Sequence, residues 1–283
     1  MSKVAVITDS TAYIPQDLVE EYNIIVLPQI LIWNGDTMQD GVDIQPTEFY
    51  QRLEQADEIP TTSQVTIKSF KDAYHRLTEE GYDILNVLIS DELSGTLDSA
   101  AQALEFCPEA HVETVNSKNV AMSLGFIVLQ AAKAAAEGAT LEECKQIAEE
   151  TKDRVGVIFA VDTLEFLHKG GRIGGATRFL GTALKLKPIL EVTGGRVEAI
   201  ERVRTSKKAH HRLVELLEER TQQYDAIQVA SLHANALEDA EALLADAQKH
   251  VNNITKTVFS QVSPVVGTHA GPGTVGLAYY AEE

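Results

Sequence analysis

A hydrolase reading of this sequence would use Ser94 as nucleophile and His269 as base. A hydroxyl can attack or donate, and an imidazole can take or give a proton near neutral pH. As a hydrolase pair they lack the expected surroundings. Leu93-Ser94-Gly95-Thr96 has no preceding glycine of the GxSxG nucleophile turn, and no acid is marked as the group that orients the histidine. Two glycine clusters invite a nucleotide. Gly271-Pro272-Gly273-Thr274-Val275-Gly276 satisfies GxGxxG, but that fingerprint works between a strand and a helix, with an acidic residue ~20 positions later. With Glu283 last in the sequence, the expectation is that these glycines let the backbone pass close to another group beside His269. Gly170-Gly171-Arg172-Ile173-Gly174-Gly175 lacks the Gly-Lys-Ser/Thr ending of a phosphate-binding P-loop. Arg172 between glycines could still converge with backbone N–H groups on an oxyanion.

Metal chemistry has less support. The eight histidines form no HExxH, and Cys107 and Cys144 stand alone without zinc spacing or a disulfide framework. Adjacent His210 and His211 point in different directions on a helix and read as structural or surface residues.

The elements that must position these residues alternate between β-branched runs and helical patterns, which predicts α/β architecture with largely parallel sheets. Strands are expected at Lys3 to Ile7, Ile24 to Trp33, Ile84 to Ile89 and Val155 to Val161. Pro15 and Pro46 open helices, Thr61-Thr62-Ser63 reads as a polar loop, and Ser90 to Thr96 is a loop before a helix toward Cys107. Thr140 and Glu143 have capping-box spacing. A hairpin from Leu186 to Val203 turns at Gly194-Gly195, followed by helix Lys207 to Arg220, strand Ala226 to Ser231, helix Leu237 to His250 and strand Ile254 to Phe259. The apolar stretch Val120 to Ala136 carries Ser123, Gln130 and Lys133 and falls short of a spanning helix, so a buried helix is expected.

With 283 residues, 44% apolar and 23% charged, the chain is long enough for two domains, divided near residue 153. Its start lacks the pattern of a signal peptide, which predicts a cytoplasmic protein. A formal charge of −18 argues against a nucleic-acid partner. The charge is uneven, however. Lys169 to Arg212 holds eleven basic residues, Lys185 among them, against three acidic ones, a local +8 that leaves −26 elsewhere. Such a stretch reads as an anion site or partner surface, or as a solvated face that balances its neighbours.

Taken together, Ile7-Thr8-Asp9-Ser10-Thr11, Thr62-Ser63-Gln64, Leu93-Ser94-Gly95-Thr96 with Ser99-Ala100, Lys169-Gly170-Gly171-Arg172-Ile173-Gly174, Lys187-Pro188-Ile189-Leu190, Arg204-Thr205 and Gly267-Thr268-His269-Ala270-Gly271-Pro272-Gly273 resemble the DegV family. The strings occur in family order and span nearly the whole chain. The resemblance implies a two-domain α/β fold, residues 1–153 and 154–283, with sheets flanked by helices and a long-chain fatty acid held between the domains. The C-terminal segment from about residue 265 would contribute to the lipid site. Thr62, Ser94 and His269 fall where the family holds the lipid carboxylate. Val65 departs from the pattern, since the family commonly has proline there.

By the same resemblance the protein is expected to be no enzyme and to need no cofactor. It would serve as the fatty-acid-binding subunit of a bacterial fatty acid kinase. In that role it presents the carboxylate to a separate ATP-binding subunit and carries fatty acid or acyl phosphate for phospholipid synthesis, with transient contact to a membrane surface and no transmembrane segment. Arg172, Arg204, Arg202 and Lys187 are then candidates for phosphate or kinase contact. Competing readings are a lipid-sensing regulatory adaptor and a serine hydrolase using Ser94 and His269. Thr8, Asp9 and Ser10 follow the first strand, where α/β proteins bind ligands, but capping the next helix accounts for them as well.

Overall fold

The computed structural model describes residues 3–181 and 186–282, so Lys185 of the basic stretch lies outside the described residues. In chain order the first half contains β1 (Lys3–Asp9), α1 (Gln16–Glu21), β2 (Ile25–Leu27), β3 (Ile30–Trp33), β4 (Asp36–Gln39), α2 (Pro46–Leu53) and β5 (Thr61–Ser63). It continues through α3 (Ile67–Glu79), β6 (Tyr82–Leu88), α4 (Thr96–Leu104), β7 (Val112–Asn116), α5 (Ala121–Ala136) and α6 (Leu141–Thr151). The second half runs β8 (Val155–Ala160), α7 (Glu165–Lys169), β9 (Lys187–Thr193), β10 (Arg196–Val203), α8 (Ser206–Thr221) and β11 (Ile227–His233). It ends with α9 (Leu237–His250), β12 (Ile254–Gln261), α10 (Pro264–Ala270) and β13 (Val275–Ala281).

The parallel expectation holds for one sheet. Strands β2-β1-β6-β7 pair in parallel throughout. The second sheet, β10-β9-β8-β13-β11-β12, is antiparallel except for β11 with β12. The reason lies in β13. The chain re-enters the sheet where β11 leaves it, with Gly273 N–H donating to Ala234 O and Ala234 N–H to Thr274 O, so β13 must run back against β11 and β8. The expected strand Ile24 to Trp33 is broken at Pro28-Gln29 into β2 and β3, which join different sheets. Thr61-Thr62-Ser63 is not a loop: it forms β5, an edge strand on β3 opposite β4.

Helix α5 organises the layers. Twelve of its residues are buried, as expected of a helix apolar on every side. It packs on β1 and β6 of the parallel sheet and on β8 and β13 of the second. Helices α3 and α4 cover the parallel sheet's other face, and α8 and α9 that of the second. Among the described residues no helix is long and apolar enough to cross a membrane. The capping box forms: Thr140 Oγ1 accepts from Glu143 N–H while the Glu143 carboxylate accepts from Thr140 N–H.

Gly125 lets α5 approach the turn after β1. A Cβ there would lie 2.4 Å from the Ala12 carbonyl oxygen. Gly125→Ala gains ~1 kcal/mol of helix propensity but forces a backbone shift costing about 1–3 kcal/mol, so a net loss of stability is expected in chemical denaturation. A more stable variant would contradict this close approach.

Candidate functional site

Between the sheets, at the edge where β8 and β11 end and β13 begins, lies a narrow cavity of about 110 Å³. Its walls are mostly aliphatic: Val157 and Phe159 of β8, Val192 of β9, Leu232 of β11, and Val262 and Val265 around the start of α10. Polar groups also reach it. Thr62, Ser94, Arg172 and His269, four residues from distant parts of the sequence, all line this one cavity.

Each arrives on a different element. Pairing of Thr62 with Leu31 fixes β5, and Thr62 Oγ1 is hydrogen-bonded to His269 Nε2 at 2.7 Å. His269 rides on the last turn of α10. Ser94 sits in the turn between β6 and α4, with its N–H donating to Ser90 O. Its Oγ lies 2.9 Å from Thr96 Oγ1 and 3.4 Å from Gln29 Oε1. Val65 N–H donates to the same Thr96 Oγ1 at 3.4 Å, a contact that proline could not make.

Arg172 ties the second half of the chain to the Ser94 turn. Its Nε donates to Leu93 O at 3.0 Å and its Nη1 to Gly170 O at 2.8 Å. The remaining guanidinium donors keep their capacity for an anion. Gly170 lies against the imidazole, where a Cβ would come within 2.1 Å of His269 Nδ1. That nitrogen is buried and has no hydrogen-bond partner among the described residues. Burial first, and the Arg172 charge second, push the imidazole down to about 4, so His269 is neutral at pH 7.

Sequence reasoning missed the support behind Ser94. Gln29 Nε2 donates to Asp9 Oδ1 at 3.1 Å, which turns Gln29 Oε1 toward Ser94. Asp9 also accepts from Thr11 N–H, Thr11 Oγ1 and Ile89 N–H, so capping accounts for its side chain. Burial raises its carboxyl against those hydrogen bonds. Pro28, inside an otherwise strand-like run, is the sequence signal that could have pointed to Gln29.

Lys187, Arg202 and Arg204 do not line the cavity. Lys187 Nζ meets Asp162 at 2.5 Å, the Arg202 guanidinium stacks 4.5 Å above the Phe179 ring, and Arg204 is exposed between β10 and α8. Much of the basic stretch is locally balanced: Lys169 pairs with Glu165, Arg196 with Glu198, and Arg212 with Glu201, Glu215 and Glu219. Among its described basic residues, Arg172 alone lines the cavity.

Two enzymatic readings find no support in the geometry of the described residues. His269 Nε2 is engaged by Thr62, and Ser94 by Thr96 and Gln29, so no serine–histidine–acid relay is assembled. The GxGxxG string joins helix α10 to strand β13, the reverse of the dinucleotide order.

These features define an α/β protein whose two sheets enclose an apolar cavity with a polar end. The family described as "Uncharacterised protein, DegV family" matches residues 3–282, and the chain belongs to that family. It is 36% identical over 283 residues to a DegV domain-containing protein of Clostridium perfringens, covering 99% of each chain. Its fold superposes with a TM-score of 0.93 on a Thermus thermophilus DegV family protein described by its fatty acid binding, at 34% identity over 99% of this chain and 100% of that one. The TM-score is 0.91 with DegV of Bacillus subtilis, described as a fatty acid binding protein, at 32% identity over 100% of both.

The imidazole reports directly on this packing. In lipid-free protein the His269 ring proton, assigned with His269→Gln, should titrate near 4, and Gly170→Ala should move the midpoint up toward 6.5 by displacing the ring from Thr62. By linkage, neutral His269 contributes stability present above 6.5 that is lost as pH falls toward 4. A wild-type midpoint near 6.5 would refute the buried, neutral ring.

Proposed function

We propose that this protein holds a long-chain fatty acid between a domain of residues 1–153 and one of residues 154–283, and presents the carboxylate to a separate fatty acid kinase subunit. One observation carries the reading: a single largely apolar cavity is lined by Thr62, Ser94, Arg172 and His269, with Thr62 bonded to His269 and Arg172 to the main chain beside Ser94. Burying about 14 methylenes at ~0.8 kcal/mol each contributes about 11 kcal/mol before ordering costs. The carboxylate is the expensive end, since a charge leaving water needs partners. The hydroxyls of Thr62 and Ser94, the first oriented by neutral His269, and the charge of Arg172 supply them.

Such a complex leaves the chemistry to the partner. A carboxylate oxygen facing the mouth attacks the γ-phosphorus of ATP on the kinase subunit, the bond to the bridging oxygen breaks, and ADP leaves. The acyl phosphate then travels with this protein toward phospholipid synthesis. Exposed Arg204, with Arg202 and Lys187 beside the β9–β10 hairpin, is suited to meet the phosphate or the kinase. The resemblances to fatty-acid-binding relatives support the ligand.

Denaturing extraction of purified protein followed by mass spectrometry should release close to one fatty acid per chain. Protein that is consistently lipid-free and takes up neither palmitate nor oleate would overturn the proposal. Ser94→Ala should cost about 1.5–3 kcal/mol, a roughly 10- to 150-fold weaker retention in a competition assay, because it removes a donor to a charged group. A fluorophosphonate that labels Ser94 would instead favour the hydrolase.

A further inference from the structure

The carboxylate of Asp40, only 2% exposed, lies outside the cavity lining yet is one of the points where α10 meets the first half of the chain. It follows β4 and collects three donors. Ser10 Oγ donates to Oδ2 at 2.7 Å, Ser263 Oγ to Oδ2 at 2.8 Å, and Val265 N–H to Oδ1 at 3.2 Å. Pro264 opens α10 without an N–H, so Val265 supplies the helix's first free donor, and Asp40 caps it from 225 residues away. A negative group at a helix N-terminus is also favoured by the helix dipole.

Helix α10 has seven residues, fewer than the ~12–15 that an isolated helix needs, so its position depends on what grips it. The grips come from one small unit. Asp40 holds the N-terminus, Tyr50 of α2 donates to Val262 O at 3.1 Å just before it, and Thr62 of β5 meets His269 at the other end. Val265 and His269 are four residues apart, ~6 Å along the axis. The three-stranded sheet β4-β3-β5 thus holds α10 at both ends, one end by a carboxylate and the other by the imidazole of the polar site.

The geometry points to Asp40 as a positioning residue for the polar end of the cavity: acting through α10, it keeps His269 on Thr62 and buried beside Gly170. Burial pushes the Asp40 carboxyl up to about 6, and its three donors work against that rise, so the group is charged at pH 7.5. The titratable neighbours are Asp9, which pushes the carboxyl further up, and the hydroxyls of Tyr13 and Tyr50, both kept protonated by burial. The effect on ligand rests on the fatty-acid reading above, whereas the effect on His269 does not.

The test uses full-length protein at pH 7.5 for ligand retention and a pH series on lipid-free protein for His269. Asp40→Ala removes both acceptor oxygens and leaves all three donors without them. It should weaken retention of a fluorescent fatty acid at least tenfold and move the His269 midpoint up from about 4 toward 6.5. Asp40→Asn, which keeps an acceptor for Val265 N–H, should hold both close to wild type. If Asp40→Ala does not fold, Ser263→Ala removes one donor and should shift both readings the same way by less. Folded Asp40→Ala with an unmoved His269 midpoint overturns the assignment, as does Asp40→Asn losing as much as Asp40→Ala. Wild-type protein that binds no fatty acid overturns the functional reading alone, because the imidazole midpoint still decides the role of Asp40.

Discussion

A helix that is apolar on every side must be covered on every side, and in this protein that requirement falls on α5. One sheet can shield only half of it. The parallel sheet takes one flank through β1 and β6, and the mixed sheet takes the other through β8 and β13. The two sheets are thereby held apart by the width of a helix. Where α5 begins, at Val120 and Ala121, the helix no longer fills the space between them, and the cavity continues from there. The aliphatic walls and the hydrophobic core are one surface, occupied by helix at one end and available to ligand at the other.

The polar end follows from where the sheets terminate. The end of β1 brings Asp9, the turn after β6 brings Ser94, the first turn of α4 brings Thr96, the glycine turn after α7 brings Arg172, and α10 brings His269. Close packing substitutes for a dedicated scaffold. Gly170 lies against the imidazole, and Arg172 uses two of its donors on main-chain carbonyls rather than on carboxylates. A guanidinium held by neutral groups keeps its full charge for an incoming anion, whereas pairing with an acid would have cancelled it.

Much of the fold was legible locally. Pro46 at a first helical turn, the Thr140–Glu143 box, the Gly194-Gly195 hairpin and helix Leu237–His250 each depend on neighbours within a few residues. What escaped depends on distant partners. β5 is three polar residues that become a strand only by lying on β3. β13 carries small residues, Gly276 and Ala278 among them, after a glycine turn that resembles a nucleotide loop, so neither its existence nor its antiparallel direction was apparent. Ser94, His269 and Arg172 were marked by their motifs, and the cavity does unite them. Asp40 carried no mark, because its donors lie 30, 223 and 225 residues away. The +8 stretch read as one feature, yet most of its pairs are with acids that a residue count cannot place.

The position of β13 also dictates an order of assembly. It is the last strand along the chain, yet it lies between β8 and β11 and is the only link between β10-β9-β8 and β11-β12 among the described pairings. During synthesis the N-terminal sheet can form from strands already made, but the mixed sheet remains two fragments until residues 275–281 emerge. Cavity and polar end are therefore completed in the same late event, and a growing chain has no enclosed space in which an acyl tail could lodge and trap an unfinished fold.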